Sequence, residues 1–187
     1  MSPPGRPKGE HRSAQREGTP VSAPGRPNDE CRSAQQHEGA PVTALAATEA
    51  ARRLVAFYEN LAAADVARMG DLYAPDATFR DPFNEVRGVE AIQRIFRDMF
   101  EHLAECRFRI VDSVVDERGA LLTWDFTFRI RRFRPEVEQC IHGASHLRFD
   151  AAGRVNYHRD YWDAAEELYA KLPLIGPVIR WLRRRMG

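Results

Sequence analysis

His158 and Asp160 stand two residues apart in VNYHRDYW, a spacing that puts both side chains on one face of an extended strand. A neutral imidazole beside a carboxylate is a usable acid/base pair near neutral pH. Same-face neighbours sit about 7 Å apart along a strand, so contact between them depends on side-chain reach. The competing reading is a polar rim, or a strand face turned to solvent or to a dimer partner. His142 and His146 fall on the face opposite Ile141, Gly143, Ser145 and Leu147 and read as surface or interface residues. The three cysteines, Cys31, Cys106 and Cys140, make no CxxC and have no histidine at metal-ligand spacing beside them. Without a histidine and carboxylate motif of recognisable spacing, the expected site is free of metal and of cofactor.

The elements that must position these residues come from one domain of ordinary size. In 187 residues, 43% are hydrophobic and 10% aromatic, enough to fill one core. The 28 basic and 27 acidic side chains nearly cancel, which disfavours a nucleic-acid partner. No apolar run approaches the roughly 18 residues of a membrane span, and the N-terminus lacks an apolar signal core. With the odd cysteine count this suggests a soluble, cytoplasmic chain in a reducing compartment.

Residues 1–44 hold seven of the 12 prolines and no Leu, Ile, Phe, Trp or Tyr, so they cannot bury enough surface to fold. They also repeat themselves: SPPGRPKGEHRSAQREGTPV (2–21) is followed by SAPGRPNDECRSAQQHEGAPV (22–42), a tandem duplication too short for a solenoid. A disordered tail is expected, with a Pro/Arg docking segment as the functional alternative. From 45 the pattern changes. Leu54, Phe57, Tyr58 and Leu61 make a helical stripe beginning near Thr48. Asp65 can cap a second helix with Val66, Met69, Leu72 and Tyr73 inward, ended at Pro75. A strand and turn over 77–88 precede a third helix carrying Val89, Ile92, Ile95, Phe96, Met99, Phe100 and Leu103. Beyond it Leu122, Trp124, Phe126, Phe128 and Ile130 alternate with polar residues, a half-buried strand flanked by others over 106–115, 137–149 and 155–162. The expected fold class is therefore α+β: three N-terminal helices packed on a curved, meandering antiparallel sheet. Such a concavity commonly holds a small-molecule pocket.

That order, together with LYAPDATFRDPFNEVRGVEAI, HLRFDAAGRV and YHRDYWD, resembles the nuclear transport factor 2-like superfamily, in its ketosteroid-isomerase and SnoaL-like polyketide-cyclase branch. The likeness covers 46 to about 165, so the expected domain is 45–165. It implies a cone-shaped domain, a homodimer through the sheet's outer face and a small apolar ligand. It places Tyr58 at an oxyanion-binding tyrosine, Asp81 of FRDPF at the general base and Trp162 at a pocket tryptophan. The isomerases' second oxyanion donor, a protonated aspartate, falls at Ser145, a departure from the acid that chemistry uses. The same register puts Asn156, His158, Asp160 and Trp162 on the pocket side, with Asp160 nearest the cyclases' acid/base aspartate.

Proton abstraction beside a carbonyl needs a base in reach and donors aimed at the developing oxyanion. Asp81 and Tyr58 can fill those roles if Phe83, Trp124, Phe126 and Phe128 supply an apolar surround for the carboxylate. Equally, Asp81 before Pro82 can simply start a turn, and Tyr58 can be a core aromatic with a backbone partner. Residues 166–187 form a basic, amphipathic extension. Its segment 171–187 suits packing over the pocket mouth or a dimer partner, or else peripheral contact with an anionic membrane surface. The resulting readings are a cofactor-independent isomerase or cyclase, and a non-catalytic ligand-binding or dimerisation module on the same fold.

Overall fold

Thr43 caps the first described helix by accepting the Ala46 N–H on its hydroxyl, 3.2 Å away. The helix therefore begins earlier than its apolar stripe suggests, as α1, Ala44–Glu59. The computed structural model describes residues 43–167 together with Trp181, Arg184 and Arg185. Apart from Thr43 and Ala44, the expected tail lies outside the described residues. So does the C-terminal extension, apart from its first two residues and those three. Trp181, Arg184 and Arg185 are exposed, and the Arg185 guanidinium lies over the Trp181 ring.

After α1 the chain runs through a 3₁₀ segment, Ala63–Asp71, then β1 (Tyr73–Arg80), β2 (Glu85–Arg87), α2 (Val89–His102), β3 (Leu103–Asp116), β4 (Gly119–Ile130), β5 (Glu138–Phe149), β6 (Val155–Tyr161) and the short α3 (Ala164–Glu167). This is α+β, but three N-terminal helices are not what forms. The second expected helix is the 3₁₀ segment, closed by bonds such as Leu72 N–H to Met69 carbonyl, and α2 follows the first two strands. Tyr73 and Pro75 belong to β1 rather than to a helix end. The Leu72 carbonyl accepts the Val155 N–H at 2.8 Å, which starts a pairing with β6 instead of another helical turn. Pro75 falls in the irregular stretch of that pairing between Tyr73 and Thr78, where no ladder donor is needed.

The sheet has six strands in the order β2-β1-β6-β5-β4-β3. It is mixed rather than wholly antiparallel, because β1 runs parallel to β6. On one face the alternation buries Leu122, Trp124, Phe126 and Phe128 of β4 and Ile141, Ser145 and Leu147 of β5. Two apolar clusters cover that face. The larger joins α1, the 3₁₀ segment, α2 and β1; the smaller joins Trp124, Phe126, Phe128 and Ile141 to Phe108 and Trp162.

Candidate active site

β5 and β6 pair so that Ser145 stands opposite Asp160 and Leu147 opposite His158, all on the inner face. His158 and Ser145 are the two buried polar residues of the described core, at 4% and 5% exposure. A buried imidazole needs partners for both nitrogens, and it has them. Its Nε2 lies 2.8 Å from Asp160 Oδ1 and its Nδ1 lies 2.6 Å from the Tyr73 hydroxyl. Tyr73 in turn lies 2.7 Å from the Tyr58 hydroxyl. Asp160 Oδ1 also accepts the Ser145 hydroxyl at 2.5 Å, and Ser145 Oγ accepts the Trp124 indole N–H at 2.9 Å.

Donor counting gives this chain a direction. A carboxylate only accepts, so His158 Nε2–H donates to Asp160 and Nδ1 takes the Tyr73 O–H, whose oxygen takes the Tyr58 O–H. Burial, reinforced by the mutual contact with Tyr73 and by the Asp160 charge, raises the Tyr58 phenol well above its ordinary pKa. Burial also raises Tyr73, with Asp160 adding to it and the Tyr58 hydrogen bond opposing it. Both phenols therefore stay protonated and fix the imidazole tautomer. Around His158 the rings of Tyr73, Phe79 and Tyr58 lie 5.0–6.1 Å away and exclude water.

Gly143 makes the Trp124 bond geometrically feasible. It faces Trp124 across β4 and β5, and a Cβ there would stand 2.3 Å from the indole. The missing side chain lets the ring lie over β5 and reach Ser145.

A cavity of about 580 Å³ opens where β1 and β6 end, lined by Arg80, Asp81, Pro82, Arg159, Asp160, Tyr161, Trp162 and Asp163. Its three carboxylates differ in what they hold. Asp81 Oδ1 accepts the backbone N–H groups of Phe83 and Asn84, both at 2.7 Å, and the Asn84 amide reaches both of its oxygens. Asp163 Oδ1 caps α3 through the N–H groups of Ala165 and Glu166. Asp160 instead joins the cavity to the buried chain, and among the described residues nothing donates to its Oδ2.

The residues singled out in the sequence thus separate into three groups. Tyr58, Ser145, His158, Asp160 and Trp124 share one hydrogen-bonded chain. Asp81 and Trp162 line the cavity, with Phe83 half exposed against Trp162 at 5.2 Å between ring centroids. Phe126 and Phe128 pack beside Trp124 in the smaller apolar cluster. Asn156, on the same face of β6, has a buried Oδ1 without a hydrogen-bond partner among the described residues. Sequence reading missed Tyr73, the link between Tyr58 and His158; the signal was a tyrosine on a buried stripe, whose hydroxyl must find a partner. It also missed Gly143, Arg80 and Arg159. On the outer face, strand pairing gathers Asp125, Cys140 and His142 within 4.8 Å, a grouping that no linear spacing announces.

The SnoaL-like domain family model matches residues 54–158, more than half of the chain. The protein belongs to the SnoaL-like family, within the nuclear transport factor 2-like superfamily. Solved structures repeat the SnoaL-like fold at low identity. One is an LEH-like epoxide hydrolase from M. tuberculosis, with 17% identity and TM-score 0.53 over 66% of this chain and 86% of that one. A hypothetical protein with a ketosteroid isomerase-like fold from Catenulispora acidiphila, in complex with trimethylamine, has 16% identity and TM-score 0.56 over 64% of this chain and 89% of that one. TsrD from Streptomyces laurentii has 16% identity and TM-score 0.55 over 69% and 96%. No curated protein matches at a significant level. Among the described residues, no helix of this SnoaL-like chain is long and apolar enough to cross a membrane.

Proposed function

We propose that this SnoaL-like protein is a cofactor-independent enzyme of the isomerase/cyclase type that moves a proton on a small carbonyl compound, with Asp160 as its base. The observation that carries the reading is the position of Asp160: it lines the cavity while His158 and Ser145 hold its other oxygen from inside the core. Asp81 is the weaker candidate, because its carboxylate is occupied by the turn it builds. Asp160 Oδ2 takes a proton from the carbon beside the carbonyl, the C–H pair becomes a carbon–carbon double bond as the carbonyl π pair moves to oxygen, and collapse of that enolate takes the proton back at a second, conjugated carbon. Arg80 and Arg159 also line the cavity and are its cationic groups; to meet a developing oxyanion the Arg80 guanidinium leaves Glu85 and the Arg159 guanidinium leaves the Tyr161 ring. Tyr58 acts one step back, because its O–H is committed to Tyr73. Two arginines and three aspartates around Trp162 suit a ligand with a polar carbonyl end and one flat apolar part, rather than a largely apolar ligand.

A second reading, the non-catalytic module, draws on the packing of Trp124, Phe126 and Phe128, which bury one another with Ile141 in an apolar cluster on the inner face. Val114 and Leu121, paired across β3 and β4 and 69% and 54% exposed, favour a homodimer under either reading. A cytoplasmic setting accompanies both and rests on the sequence alone.

Titrating a panel of planar phenols, mimics of an enolate oxygen, against tryptophan fluorescence separates the two. Saturable quenching that Trp162→Phe removes is expected, with Tyr58→Phe changing the affinity by less than about threefold. Silence across the panel would favour the module.

A further inference from the structure

On the outer face of the sheet, away from the proton chain, Asp125 of β4 stands opposite His142 of β5, and Cys140 precedes His142 by two residues on the same face. His142 Nδ1 lies 2.6 Å from Asp125 Oδ1, and its Nε2 lies 3.9 Å from Cys140 Sγ. One ligand atom from each residue falls within 4.8 Å of the others. Arg109 on β3 holds the second oxygen, Asp125 Oδ2, and leaves Oδ1 turned to the imidazole.

We propose that Asp125, Cys140 and His142 form a binding site for a thiophilic divalent cation of the zinc type. The set combines thiolate, imidazole and carboxylate, the three donor types that zinc takes. Magnesium and calcium select oxygen ligands and are disfavoured by the sulfur. The ligand atoms of one tetrahedral zinc lie roughly 3.3–3.8 Å apart, as its bond lengths of about 2.0–2.3 Å require. A grouping within 4.8 Å reaches that spacing through side-chain rotation alone. The strands that carry it are paired residue by residue from Ala120↔Leu147 to Arg129↔Glu138, so the backbone is fixed beforehand. On binding, the ion displaces the His142 to Asp125 hydrogen bond, the thiol gives up its proton, and Arg109 remains on Oδ2 to orient the carboxylate. Three protein ligands leave a fourth position for water.

The test uses the reduced full-length chain titrated with Co²⁺, which reports thiolate ligation through a near-ultraviolet charge-transfer band. One equivalent that produces this band and is displaced by Zn²⁺ is expected. Cys140→Ser should abolish the band, His142→Gln should weaken binding by at least about tenfold, and Cys31→Ser and Cys106→Ser should leave both unchanged. Near-ultraviolet circular dichroism identical to the parent shows that each variant is folded. Absence of the band in the parent chain, its survival in Cys140→Ser, or its loss in Cys31→Ser or Cys106→Ser would overturn the assignment.

Discussion

Tyr73 is not among the residues that line the cavity at the end of β6, yet it sets the His158 tautomer, because its hydroxyl both receives from Tyr58 and donates to Nδ1. Tyr73→Phe leaves two buried groups without partners, and a buried group left unsatisfied costs about 1–3 kcal/mol. Urea unfolding should show a loss in that range, and the double variant Tyr58→Phe/Tyr73→Phe should lose less than the sum of the two single changes. The raised phenol pKa values give a second expectation, with a definite sign. The unfolded chain ionises these tyrosines near pH 10 while the folded chain keeps them protonated. Their contribution to stability is therefore complete below about pH 10 and declines above it. Alkaline titration followed by tyrosinate absorbance should find two of the five tyrosines silent until the chain unfolds; ionisation of all five in the folded state would contradict the buried chain. At this scale the pairing of His158 with Asp160 is legible from their same-face spacing. Tyr73 is not, because helix and strand periodicities both bury it and neither names its partner.

At the scale of elements, cross-strand register does the positioning. Trp124 reaches Ser145 because the strand beside it carries glycine at 143. Gly143→Ala puts a methyl group into the indole ring, displaces it and breaks the bond to Ser145. The expected cost is about 1–3 kcal/mol, as for other overpacked cores, together with a changed near-ultraviolet tryptophan signal; an unaltered signal would show that the ring has room to spare. The alternating pattern makes β4 and its buried face legible in the sequence, and the α2 stripe is equally plain. Pairings are not legible. Ser145 beside Asp160, and Asp125 beside His142, follow from turn geometry that places residues distant in sequence side by side. The 3₁₀ segment also escaped, because Val66 and Met69 have a spacing that an α-helix and a short 3₁₀ stretch share.

For the whole molecule, the parallel pairing of β1 with β6 brings Arg80, Asp81 and Pro82 to the last residues of β6 and its following turn, and so builds the cavity. The family was legible from three separated segments in order, which is why membership and the α+β class agree with the sequence while the helix count and the parallel β1–β6 pair do not. The proposed chemistry is less legible, because one fold hosts many reactions and the proposed base depends on which carboxylate its neighbours leave available. Asp81 looked suitable by position, but Asn84, three residues on, binds its carboxylate. The most direct measurement is proton NMR of α-proton exchange in D₂O across a panel of small cyclic ketones and enones, which registers proton abstraction whatever the product. Wild type should accelerate exchange for at least one member, Asp160→Asn should lower that rate by about 10²-fold or more, and Asp81→Asn should alter it less than about tenfold. Full exchange activity in Asp160→Asn, or its loss in Asp81→Asn alone, would contradict a base at Asp160.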